Sequence, residues 1–236
     1  MTWKMCFNPS KCEFLRLTNK KNIIKFQYSI QGNNIQEVHQ VKYLGVTINN
    51  NLSWSAHTKI ISSKANSVLG FLRRNFNRCP TKTKSALYLS LVRPILEYAV
   101  TVWAPYHRTD ICQIEAIQRR AARFAMNCYD RHQSVTEMLH KLTWPTLESR
   151  RNHFKIIMMF KIINNMVHIQ PDVPITYARR TNTRGHHLKM QQPATRIDVY
   201  LHSFFPSTVK LWNLLPSNLI DSPSLNSFKC NLVKLN

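Results

Sequence analysis

At Ser53 the spacing of the apolar residues changes period. Before it, CEFLRLT (12–18), IKFQYSI (24–30) and VKYLGVTI (41–48) mix alternation with β-branched and aromatic residues. That pattern predicts short strands. Gly32-Asn33-Asn34 predicts a hairpin turn, and Asn49-Asn50-Asn51 closes the last strand in another. After Ser53, Ile61, Ala65, Val68, Leu69, Leu72 and Phe76 recur at helical spacing. The expected fold is therefore mainly α, with a small N-terminal antiparallel β region, in the α+β class. One residue conflicts with its surroundings. Gly45 lies inside a strand pattern, where glycine weakens pairing unless something approaches its backbone closely.

The helical part is punctuated by prolines. Cys79-Pro80-Thr81 breaks the first helix, with Thr81 as the expected cap of the next. That next helix runs toward Trp103 with Leu87, Leu91, Ile95 and Val102 in its apolar set, and Pro94 should kink or split it. Ala104-Pro105 ends it. A third helix, from about 110 to 128, buries Ile114, Ile117, Ala121, Phe124 and Cys128. It carries Arg119 and Arg123 on the opposite face and Arg120 on the flank. Ser134 and Glu137 form a capping box for a short helix, and a long helix follows Trp144-Pro145. Residues 170–200 read as a basic loop. A last helix is expected with Ser222 as cap and Pro223 in its first turn. Three regions result: 1–52, 53–130 and 131–236.

Charge narrows the function. Thirty-three Lys and Arg stand against eleven acidic residues, a net charge of +22. The excess is spread along all three regions, so it belongs to a folded body and not to a tail. Such a body repels itself unless it meets a polyanion, and nucleic acid is the expected partner. An anionic membrane fits less well, because no apolar run has transmembrane length. The six cysteines show no CxxC spacing and follow no secretory signal, so a nuclear or cytoplasmic protein with reduced thiols is expected, not a secreted one. Cys128 and His132 resemble half of a zinc site without the other half.

Catalytic motifs are absent. The chain has no Asp-Asp pair, no Gly-rich phosphate loop and no nucleophile elbow. Its isolated glutamates read as charge partners on basic helices. His186-His187 reads as a solvated basic loop, with phosphate contact as the functional alternative. Arg119-Arg120 and Arg150-Arg151 read as solvated helix faces or phosphate contacts. Trp54, Trp103, Trp144 and Trp212 read as core residues.

FNPSKCEFLRLTNK and VKYLGVTINNNLSW, followed by KANSVLGFLRRNFNRCP, LYLSLVRPILEYAVTVWAP, IEAIQRRAARFAM, VTEMLHKLTWPTLESRR and SFFPSTVKLWNLLP, resemble the reverse transcriptases of non-LTR (LINE-type) retrotransposons. The resemblance implies a fragment of a right-hand polymerase: the end of the palm over 1–52, a helical thumb over 53–130, and the family's C-terminal part over 131–236. Met1-Thr2-Trp3 would fall after the catalytic aspartates, so no catalytic residue and no metal ligand is expected here. Mg²⁺ belongs to the complete enzyme and no cofactor to this chain alone. The resemblance makes Lys11 a residue near the incoming nucleotide. It places Tyr43, Leu44 and Gly45 in a primer-grip hairpin, with the primer backbone against Gly45. Arg73, Arg74, Arg119, Arg120, Arg123, Arg150 and Arg151 become contacts to an RNA template or RNA–DNA hybrid. The upstream polymerase and endonuclease regions would be the missing partners. Two other readings compete: a retained non-catalytic nucleic-acid-binding protein, and a helical protein-interaction domain.

Overall fold

The computed structural model describes residues 8–18, 20–130, 132–169, 176–178 and 186–235. Met1-Thr2-Trp3, Cys6, Arg184 and most of the 170–185 part of the expected loop lie outside the described residues.

The N-terminal region forms three two-stranded ladders. After a 3₁₀ turn, Pro9–Lys11, come β1 (Glu13–Leu15), β2 (Ser29–Ile30), β3 (Asn33–Asn34), β4 (Gln36–Val38), β5 (Gln40–Tyr43) and β6 (Val46–Asn49). β2–β3 and β5–β6 are antiparallel hairpins, but β1 pairs with β4 in parallel. The expectation of a purely antiparallel region is corrected there. The chain between β1 and β4 is long enough to return in the same direction, with the β2–β3 hairpin inside it. Both hairpins turn on two residues of positive φ, Gln31-Gly32 and Leu44-Gly45. Such turns match the twist of the flanking strands. Gly45 (φ +87°) is thus not inside a strand but at the tip of the β5–β6 hairpin.

The helical body begins with α1 (Ser55–Asn75). Next come α2 (Thr81–Leu87), a π-turn over Tyr88–Val92, α3 (Arg93–Glu97) and α4 (Val100–Trp103). Thr81 is the first helical residue and gives no side-chain cap; Pro80 holds the cap position. The break at Pro94 takes a specific form. Proline cannot donate to the carbonyl four residues back, and its ring crowds that carbonyl. The preceding turn widens, and Arg93 N–H bonds to the Tyr88 carbonyl, five residues back. The extra residue rotates the register. Tyr88, Val92, Leu96, Val100 and Trp103 are buried, whereas Leu91 is 48% and Val102 61% exposed.

α5 (Arg108–Met126) buries Ile114, Ile117, Ala121 and Phe124, as its spacing predicts. α6 (Val135–Lys141) is capped by Ser134, whose hydroxyl accepts from Glu137 N–H. Together with Val46 of β6, α1 and the 88–103 segment, α5, α6, Trp144 and Leu147 form one core. α7 (Leu147–Ile163) starts in that core and runs into a second. There Ile156, Met159 and Phe160 pack against α9 (Phe204–Trp212), α10 (Ser217–Ile220) and α11 (Leu225–Val233). α8 (Asp198–Leu201) precedes α9. Ser224, not Ser222, caps α11, and Pro223 stands before the cap. Trp103 and Trp212 are among the largest fully buried side chains.

Candidate nucleic-acid interface

α1 and α5 run side by side in the same direction. Ser55 Oγ donates to Asp110 Oδ2 at 2.7 Å, Arg120 Nη1 donates to Asn66 Oδ1 at 2.6 Å, and the Arg73 guanidinium lies 5.3 Å from the Tyr129 ring centre. The sequence separations are 55, 54 and 56 residues, a nearly constant offset that parallel helices give. Both C-terminal ends therefore lie together. Each carries the negative end of a helix dipole, and arginines offset it. Arg73 and Arg74 stand in the last turn of α1, Arg119, Arg120 and Arg123 in the last two turns of α5. Arg73, Arg74, Arg119 and Arg120 are exposed; Arg123 is half-buried. Arg123 Nη1 donates to the Asp130 carbonyl at 2.7 Å. The expected opposite face of α5 is thus part of a shared basic end, two of whose arginines are also tied to the fold.

The β5–β6 hairpin is fixed to this body at two points. At its tip, Tyr98 Oη donates to the Leu44 carbonyl at 3.0 Å. Along β6, Thr47 N–H donates to His57 Nδ1 at 3.2 Å. Trp103 links the two. Its Nε1 donates to the Tyr98 carbonyl at 2.6 Å, and its ring meets the His57 ring edge-to-face at 4.8 Å. His57 is buried, and burial lowers its pKa from the ordinary histidine value. The neutral ring is the form that can accept from Thr47.

The close approach expected at Gly45 comes from within the chain. A Cβ at Gly45 would stand 3.2 Å from Tyr98 Cε1. Tyr43 and Leu44, by contrast, are 65% and 75% exposed at the same tip. Lys11 is exposed at the end of the 3₁₀ turn that leads into β1, and β1 lies alongside β5.

Arg150 and Arg151 sit elsewhere, and neither is a solvated face. Arg150 chelates Glu97, through Nε to Oε1 and through Nη2 to Oε2 at 2.9 Å. That hydrogen bond raises its pKa, and Arg93 approaches the same carboxylate at 3.8 Å. Arg151 is buried, with Nη2 3.8 Å from Glu115 Oε1. Burial lowers its pKa, and Glu115 opposes the shift. Glu115 also accepts from the N–H groups of Leu147 and Glu148, at 3.3 and 2.7 Å, and so caps α7 from another helix. Both arginines are turned inward because α7 crosses the acidic side chains of α3 and α5. The basic-loop reading of His186 is also corrected: His186 is buried, its Nε2–H donating to the Trp212 carbonyl at 3.0 Å. His187 lies 3.7 Å from Asp221. Sequence reasoning missed Tyr98, Tyr129 and His57. Each acts through a partner at least ten residues away, which local spacing does not reveal.

Part of the chain has recognisable relatives. Over 133 residues, 53% of this chain and 14% of the relative, it is 27% identical to the probable RNA-directed DNA polymerase from transposon BS of Drosophila melanogaster. It is related to the RNA-directed DNA polymerases of non-LTR retrotransposons. The mobile element jockey polymerase of Drosophila funebris is 27% identical over 124 residues, 51% of this chain and 13% of the relative. The probable polymerase from transposon X-element of D. melanogaster is 24% identical over 129 residues. The match thus spans about one seventh of the length of these polymerases. No family model and no solved structure matches. No described helix is long and apolar enough to cross a membrane. Among the described residues, no three His, Cys, Asp or Glu side chains come together as metal ligands.

Proposed function

We propose that residues 40–130 hold a template–primer duplex, RNA–DNA hybrid or duplex RNA, by its phosphate backbone, as the thumb side of a reverse transcriptase. The observation that carries this reading is the parallel pairing of α1 and α5, which gathers Arg73, Arg74, Arg119, Arg120 and Arg123 at one end. Asp130 is the acid beside them in the chain, and its Oδ1 accepts from His132 N–H at 2.9 Å. Clustered guanidiniums give strong, sequence-independent backbone binding. The RNA-directed DNA polymerases this chain resembles supply the class of nucleic acid. The hairpin tip contributes its free side: with Tyr98 over Gly45, the strand that reaches the hairpin meets Tyr43 and Leu44. Lys11, on the segment leading into β1 beside β5, adds a cation on the hairpin side, toward the opposite end of α1 from the arginines.

Catalysis is assigned elsewhere in such a polymerase. Two-metal nucleotidyl transfer needs paired carboxylates, and Glu97 and Glu115 serve instead as partners for Arg93, Arg150, Arg151 and the α7 N-terminus. Titration of fluorescent RNA–DNA hybrids of unrelated sequence across a salt series tests the reading. We expect binding that differs little between sequences and weakens linearly with the logarithm of salt concentration. Absence of binding at low salt, or binding indifferent to salt, overturns it.

A further inference from the structure

Where α1 and α5 end, a cleft of about 390 Å³ opens between them. Gly70, Arg73, Arg74, Asn77, Asn127 and Tyr129 line it. Its size lies at the small end of the range of ligand sites. Gly70 lies at its floor, and the Arg74 head folds back along the helix to within ordinary contact distance, 3.5 Å, of where a Cβ of Gly70 would stand. Its wall is Tyr129, half exposed on the loop that leaves α5, with the Arg73 guanidinium 5.3 Å from the ring centre. Asn127, in the left-handed conformation that ends α5 (φ +50°), turns the chain so that Tyr129 faces back toward α1. Tyr129 is held beside two cations and two amides, and one side remains open.

We infer that this cleft is a subsite for one unpaired nucleotide of a strand leaving the duplex. The base stacks on Tyr129, the phosphate lies on Arg73 and Arg74, and Asn77 and Asn127 offer amide donors and acceptors to the base edge. A base inside a duplex has its faces covered by its neighbours and cannot reach the ring; an unstacked base can. The subsite rests on the duplex-holding reading of the α1–α5 end and adds single-strand recognition to it.

Fluorescence anisotropy separates the two. The probes are a blunt RNA–DNA hybrid and the same hybrid with a short single-stranded extension, each with the full chain, Tyr129→Ala and Tyr129→Phe. We expect the extension to tighten binding to the unmodified chain. Tyr129→Ala should lose that gain, by about 5-fold or more, and still bind the blunt hybrid as before. Tyr129→Phe keeps the gain, since the ring stacks without its hydroxyl, and its circular dichroism should match that of the alanine variant. Equal binding of both probes, a gain that survives Tyr129→Ala, or an equal loss for both probes removes the subsite and leaves duplex holding intact. Binding of neither probe removes both.

Discussion

Tyr98 donates its hydroxyl to the carbonyl of Leu44, 54 residues earlier in the chain, at 3.0 Å. Its ring covers the face of Gly45 where a Cβ would stand. A hairpin of four-residue strands is marginal by itself in water. Here the helical body supplies the missing support, through Tyr98 at the tip and His57 along β6. Gly45→Ala should destabilise the fold by about 1–3 kcal/mol, because φ +87° strains any L side chain and the methyl meets Tyr98. Tyr98→Phe should cost only the hydrogen bond, about 0.5–1.5 kcal/mol. Urea unfolding of both variants checks the pair; an unchanged midpoint for Gly45→Ala would contradict the tip geometry.

Glu115 joins α5 to α7, holding Arg151 and two N–H groups at the start of α7. Glu115→Ala leaves a buried guanidinium without its nearest carboxylate and two N–H groups of the first turn of α7 without their acceptor, although Thr146 still caps the helix through Ser149 N–H. We expect a loss of about 3–5 kcal/mol, against less than about 1 kcal/mol for an exposed pair such as Arg108–Glu148. Chemical denaturation of Glu115→Ala beside Glu148→Ala makes the comparison.

Two buried histidines set the acid limb of stability. Burial lowers the pKa of both His57 and His186, while the unfolded chain protonates them near the ordinary value of about 6.5. Above that value both states are neutral and pH has no effect through these groups. As pH falls below it, the unfolded state takes up protons that the folded state refuses. Stability should then fall by up to about 1.4 kcal/mol per pH unit for each histidine. His57→Asn, whose Oδ1 can accept from Thr47, should flatten that slope when urea midpoints are measured between pH 7.5 and 5.

Lys155 acts at the other end of the scale. It is buried, donates to Ser207 Oγ at 3.0 Å, and burial, helped by Arg151, pushes its pKa down to about 8. Between pH 8 and its ordinary value of 10.5 the unfolded chain alone holds the proton, so stability through this group rises with pH in that window. Lys155→Met should remove that rise and stabilise the protein at neutral pH by roughly 1–3 kcal/mol. Thermal midpoints at pH 7 and pH 10 give the test.

Much of this fold is legible along the chain where burial follows one local period. The stripes of α1 and α5 and the capping box at Ser134 are of that kind. Leu91 and Val102 show where local reading stops: the π-turn before Pro94 shifts the register at Leu91, the chain breaks again at Tyr98-Ala99 before Val102, and the apolar positions of a regular helix then face outward. Gly45 was legible as an anomaly, but the residue that resolves it stands 53 positions away. The arginine pairs look alike in sequence. Only the crossing of α7 over Glu97 and Glu115 turns Arg150 and Arg151 inward, while the parallel ends of α1 and α5 leave Arg73, Arg74 and Arg119 in solvent.

That contrast decides which arginines to remove. Arg120 and Arg123 hold Asn66 and the Asp130 carbonyl, so their loss mixes structural with binding effects. The direct measurement is therefore the salt dependence of RNA–DNA hybrid binding by Arg73→Ala/Arg74→Ala/Arg119→Ala. Lys210→Ala/Lys229→Ala, on α9 and α11 of the second core, serves as the control. We expect the triple variant to fold normally, to bind every sequence more weakly, and to lose about one unit of slope in log K against log salt for each phosphate contact removed. The control should keep the original slope. A folded triple variant with unchanged affinity and slope would contradict the assignment of the α1–α5 end as the surface that holds nucleic acid.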